Sequence, residues 1–91
     1  MKTKQLKQSE ALERIERRII FWQKVEACNN EEQILEYSAQ DYNDWKCLFF
    51  VKKQVFTLGK SVLAAHHLLA TGKLKTLNRD AANLRKKLGW N

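Results

Sequence analysis

The 91-residue chain carries 17 Lys and Arg against 10 Asp and Glu, a net charge of +7, with 44% hydrophobic and 30% charged residues. That length suits one hydrophobic core, and the balance of apolar to charged residues excludes wholesale disorder. Pro is absent and Gly occurs three times, too little turn punctuation for a sandwich or barrel of many strands. The expected class is all-α: a small bundle of three to four helices around a long central helix, with residues 1–91 as a single helical domain and 1–7 frayed.

The basic start, Met1 to Gln8, leads into Ser9 and Glu10 and not into an apolar stretch, so no secretion signal is read. The first amphipathic segment runs from about Gln8 to Ala27, where Leu12, Ile15, Ile19 and Trp22 recur at spacings of three and four. Glu10 precedes Arg14 by four residues and Glu13 precedes Arg17 by four, the orientation in which helical ion pairs help. Ile20 and Phe21 lie off the stripe and read as a second contact or a small exposed apolar patch.

Cys28-Asn29-Asn30 breaks the pattern. Asn30 followed by Gln33 has the form of a capping box for a short helix over about Glu31 to Tyr37. Ser38 and Asp41 form a second cap signal before the longest apolar segment, about Asp41 to Ala70, read as one long helix bent at Gly59. It carries two stripes, one of Tyr42, Trp45, Phe49, Phe56 and Leu63 and another of Cys47, Val51, Val55, Leu58, Val62, Ala65 and Leu69. A helix apolar on two sides is expected at the centre of a bundle. Thr71-Gly72 reads as its stop, Lys73-Leu74-Lys75 as a linker, and about Asn78 to Leu88 as a last helix closed by Gly89. The longest unbroken apolar runs, Leu48 to Val51 and Val62 to Ala65, fall far short of the roughly 20 residues a spanning helix needs. A cytoplasmic protein with no membrane contact is expected, its Cys28 and Cys47 reduced.

Charge is segregated along the chain. The net is +4 over residues 1–24, −6 over 25–45, +4 over 46–72 and +5 over 73–91, an acidic middle between basic ends. The acids Glu26, Glu31, Glu32, Glu36, Asp41 and Asp44 would be absorbed if they packed beside basic neighbours. The basic C-terminal end is harder to absorb.

Opposite the last apolar stripe stand Arg79, Asn83, Lys86 and Trp90, spaced four, three and four. Arg and Asn have planar groups able to pair bidentately with guanine and adenine edges, Lys neutralises phosphate, and Trp stacks on an unpaired base. Lys73, Lys75, Arg85 and Lys87 would add backbone contacts, and Lys46, Lys53 and Lys60, seven residues apart, would form a further basic line along the long helix. Basic residues in a last turn also serve the helix dipole. Asp80 to Trp90, with paired alanines before a Leu and a Gly, resembles the first helix and turn of a helix-turn-helix over about a tenth of the chain. The recognition helix that follows such a turn is not among these residues, and no function is carried over.

No catalytic, metal or cofactor motif is complete. Gly59-Lys60-Ser61 matches the tail of a phosphate-binding loop, but Gln54 stands where the leading Gly belongs. His66 and His67 are adjacent and point about 100° apart, unlike an i, i+4 ligand pair, and read as packed or half-exposed side chains. A binding protein and not an enzyme is expected, with no cofactor or small-molecule substrate. Two functions fit. One is nucleic-acid binding, to DNA or RNA, through the C-terminal helix. The other is a protein-interaction module, such as an inhibitor, adaptor or regulatory subunit of the kind borne by phages and plasmids. That module would dock through Glu31, Glu32 and Glu36 with Phe21 and Trp90; a homodimer would use Ile20, Phe21, Phe50 and Leu68.

Overall fold

The computed structural model describes residues 2–89, with side chains from Lys7 onwards. Trp90 therefore lies outside the described residues. Four helices follow one another: α1 over Lys2–Ala27, α2 over Glu31–Asp41, α3 over Trp45–Lys52 running into a π-helical turn at Lys53–Thr57, and α4 over Val62–Leu88. No strand occurs among the described residues, and none of these helices is long and apolar enough to cross a membrane.

Helix α1 extends back to Lys2, into the segment expected to fray. Its inward positions Leu12, Trp22 and Val25 are buried and Ile15 and Ile19 are partly so, as the three-and-four spacing predicts. Of the two expected ion pairs, Glu13 and Arg17 meet at 2.6 Å on the exposed face. Asn30 caps α2, its Oδ1 accepting from the Gln33 amide at 2.9 Å. The reciprocal half of the box is replaced, because the Gln33 side chain donates to the Tyr37 hydroxyl at 3.1 Å. Ser38 and Asp41 lie within α2, which runs four residues past its expected end, and the cap of the next helix is Asp44, accepting from the Lys46 amide at 2.9 Å.

The long helix expected over 41–70 is two elements, broken between Leu58 and Ser61. Gly59 takes φ +68, a left-handed conformation that costs little only for glycine. The Lys60 amide folds back onto the Gln54 carbonyl at 3.0 Å, and Ser61 Oγ caps α4 through the Ala64 amide at 3.1 Å. By contrast α4 continues straight through Thr71, Gly72 and the expected linker Lys73 to Lys75. The reason is tertiary. Leu69, Ala70, Leu74, Leu77 and Ala81 form one buried stripe, and breaking it at Gly72 would expose half of it. Gly89, at φ 77, ends the helix where the sequence places the stop.

Helices α1 and α4 form the body of the molecule. The Cys28 carbonyl just beyond α1 accepts from His67 Nε2 at 2.7 Å, and Glu26 Oε2 lies 3.0 Å from the Thr71 hydroxyl. The end of α1 thus meets the first third of α4, and the pair runs antiparallel, with Ala65, Ala70 and Ala81 fully buried between larger side chains. At roughly 1.5 Å per residue such helices are about 40 Å long. The molecule measures 50 × 22 × 21 Å, with a radius of gyration of 15.4 Å against about 12 Å for a compact domain of this length. Helices α2 and α3 cover one end of the pair. There Trp22, Tyr42 and Phe21 stack in tilted and edge-on contacts 5.0–6.1 Å apart, and Tyr37 joins Phe21 at 5.9 Å. Phe21 is thus half-buried in a ring cluster, the second contact that its place off the main stripe allowed.

The expected stripe of Tyr42, Trp45, Phe49, Phe56 and Leu63 also divides. Tyr42 is buried and Leu63 partly so, while Trp45, Phe49 and Phe56 are 70%, 63% and 82% exposed. Helix α3 packs on the core through Cys47, Phe50 and Val51. Cut short at Gly59, it lies on the flank of the α1–α4 pair and has a partner on one side only.

Candidate nucleic-acid interface

On α4, positions Gly72, Thr76, Arg79, Asn83 and Lys86 follow one another at spacings of four, three, four and three, all exposed, directly opposite the buried Leu74, Leu77 and Ala81. The burial of one stripe against α1 is what turns the other outward. Lys75 and Lys87 lie exposed at the two edges of this ridge, Arg85 is exposed but in line with Ala81 on the opposite side of the helix, and Lys73 is half-buried. Over the twelve residues from Lys75 to Lys86 the ridge extends about 16 Å.

Electrostatically the ridge is weakly compensated. Arg79 has a loose partner in Asp80 at 3.7 Å, both exposed to water, which contributes little. Among the described residues no carboxylate lies within ion-pair distance of Lys73, Lys75, Arg85, Lys86 or Lys87. The three basic residues in the last turn, Arg85, Lys86 and Lys87, face the carbonyl end of the helix dipole. That interaction typically amounts to 0.3–1 kcal/mol per charge at exposed sites, too little to neutralise them.

The line of Lys46, Lys53 and Lys60 is not in register. Lys46 sits in the first turn of α3, Lys53 opens the π turn and Lys60 lies in the loop after Gly59, all three exposed. A seven-residue spacing aligns side chains only along an unbroken α-helix. The acids are likewise unabsorbed. Glu31, Glu32 and Glu36 are exposed on α2 with no ion-pair partner among the described residues, and Leu35 between them is 48% exposed. Ile20 and Leu68 are 54% and 41% exposed, and Phe50 is half-buried against the core.

The sequence reading missed the surface of α3. Trp45 and Phe49 meet edge to face with centroids 6.4 Å apart, and Phe49, Phe56, Lys52, Lys53 and Thr57 line one shallow groove. The available signal was the apolar excess itself. A segment with two stripes in a chain too short to surround it must leave one stripe outside.

The histidines are structural. His66 is 1% exposed, with its Nδ1 3.0 Å from the Tyr42 hydroxyl. Burial lowers the His66 pKa below its ordinary value near 6.5, with the neighbouring His67 adding to the effect. Burial also pushes the Tyr42 phenol well above its ordinary value, with Cys47 and Cys28 adding. Burial thus favours the neutral form of both side chains, which share one hydrogen bond. Cys28 and Cys47 are free buried thiols, and among the described residues no group of three potential ligands could hold a metal ion. A cleft of about 360 Å³ beside the ring cluster is lined by Arg17, Arg18, Asp41 and Asp44 over Phe21, Trp22 and Tyr42. Compared with protein-family models, curated proteins and solved structures, the chain matches none.

Proposed function

We propose that this is a small nucleic-acid-binding protein, regulatory and not enzymatic, that contacts the phosphate backbone through the outer ridge of α4. The observation that carries the reading is the row Arg79, Asn83 and Lys86, turned outward by the packing of α4 on α1, with the loose, exposed Arg79–Asp80 pair as its acidic contact. Lys and Arg on such a ridge displace condensed counterions from phosphates, so binding weakens steeply with salt. Asn83, between two cations, supplies an amide able to pair with a base edge. Lys75 and Lys87 widen the contact on either side. The cytoplasm, where nucleic acid is accessible to a protein with reduced thiols, is the proposed location.

The test is a fluorescence-anisotropy titration of labelled oligonucleotides with the wild type and with Arg79→Ala/Lys86→Ala. Both side chains are exposed, so the variant is expected to keep its helicity while losing roughly tenfold or more in affinity. Equal affinity of the two proteins would remove the ridge from the account.

A second reading is favoured by one observation, the unpaired acids of α2 around the exposed Leu35. A carboxylate patch with an apolar centre suits a protein partner of complementary charge, which it would steer and orient. Reversal of Glu31, Glu32 and Glu36 to Lys is expected to abolish capture of such a partner; the first reading predicts that the same change leaves nucleic-acid binding intact or strengthens it.

A further inference from the structure

Three large rings stand in water on one face of a short helix. Trp45, Phe49 and Phe56 are 70%, 63% and 82% exposed; Trp45 meets Phe49 edge to face and Phe49 shares a groove with Phe56, which puts the three on one side of α3 and its π turn. The opposite side, Cys47, Phe50 and Val51, packs into the core. Lys46, Lys52 and Lys53 interleave with the rings, and no acidic residue occurs from Lys46 through Arg79. The π turn broadens the helix where Phe49, Phe56, Lys52 and Lys53 share their groove.

We propose that this face is a stacking platform for single-stranded nucleic acid, with bases against Trp45, Phe49 and Phe56 and phosphates beside Lys46, Lys52 and Lys53. The inference rests on the nucleic-acid reading above and gives it a substrate class. Unpaired bases present π-faces at the same repeat at which their backbone presents phosphates, matching rings interleaved with lysines. A duplex keeps its base faces stacked inside. A second copy of the chain docking face to face would set lysines against lysines.

A shallow depression lined by Phe50 and by Gly72, Lys73 and Thr76 sets α3 beside the start of the stripe that continues through Arg79, Asn83 and Lys86. Phe50 is on the inward side of α3, so the ring face and the α4 ridge are separate surfaces, and the platform stands on its own rings and lysines.

The test compares a labelled thymidine 20-mer, a duplex of equal length and vesicles of phosphatidylglycerol and phosphatidylcholine, using the full chain. Two triple variants replace Trp45, Phe49 and Phe56 by Ala and by Leu. The residues are exposed, so both variants are expected to keep the wild-type circular dichroism. Stacking on one ring is generally worth roughly five- to hundredfold in affinity. Both triple variants should therefore bind the single strand at least tenfold more weakly and bind the duplex nearly as the wild type does. Trp45 emission should be quenched by the thymidine strand in the wild type, and that quenching should be absent in Trp45→Phe. Full single-strand affinity in the Leu variant overturns stacking, and full affinity in the Ala variant overturns the platform while leaving the α4 ridge standing. Absence of binding to either oligonucleotide by the wild type overturns both. If the variants lose vesicle binding, or concentration-dependent self-association, with single-strand affinity unchanged, the face belongs to lipid or to a second copy and the platform is overturned.

Discussion

The inner face of α4 and the outer face of α3 have similar apolar content and opposite fates. Leu69, Leu74, Leu77 and Ala81 are at most 9% exposed, while Trp45, Phe49 and Phe56 are at least 63% exposed. What separates them is not hydrophobicity but the presence of a long neighbour. Helix α4 has α1 along its length; α3 ends in a π turn and a glycine break and lies on the flank of that pair. A ring on α3 can be buried only by something outside the fold, and a Leu on α4 is buried already. Apolar residues on the inner face of α4 therefore stabilise the fold, and those on the outer face of α3 do not.

The contrast makes graded predictions, all readable by thermal or denaturant unfolding. Truncating the core should have the largest effect. Leu12→Ala, at a position 1% exposed, should cost about 2–5 kcal/mol, whereas Phe56→Ala should stay within about 0.5 kcal/mol. Equal losses at the two positions would mean that the α3 face packs in solution. Next in size, Gly59→Ala should destabilise by about 1–2 kcal/mol, because φ +68 is left-handed and an added Cβ is disfavoured there. Gly72→Ala should do the opposite and stabilise by roughly 0.5–1 kcal/mol, since Gly72 is mid-helix and an added Cβ meets nothing within 4 Å. A loss at Gly72 would show that α4 bends there.

The subtlest effect concerns pH. His66 is harder to protonate folded than unfolded, so below about pH 6.5 the unfolded chain takes up the proton first. The stabilising contribution of neutral His66 is complete above that pH and declines as the pH falls toward the lowered folded pKa. The midpoint of unfolding should therefore drop between pH 7.5 and pH 5, and His66→Gln should flatten that part of the profile. An unflattened profile would assign the acid sensitivity to other groups.

How far the sequence could be read follows from the same contrast. Local chemistry was legible where it acted alone. Asn30 capped its helix, Gly89 closed the last one, and Arg79, Asn83 and Lys86 came out on a single exposed face. The two glycines between were not decidable locally: Gly59 reads as a bend in a continuous helix and Gly72 as a stop. Gly59 breaks the chain and Gly72 does not, because only at Gly72 does a continuous stripe from Leu69 to Ala81 reward an unbroken helix. The rings of α3 failed in one respect: their spacing placed them together correctly, but periodicity cannot say which of two apolar sides faces inward. That depends on which neighbour arrives, and the break at Gly59 decides it.

The central claim is that the α4 ridge holds phosphates. The most direct test is the slope of log affinity against log salt for duplex DNA, measured for the wild type and for Arg79→Ala/Lys86→Ala. Each phosphate contact contributes roughly 0.9 to that slope, so losing two should make it shallower by about 1.8. Parallel lines for the two proteins would contradict the account and place the phosphate contacts away from α4.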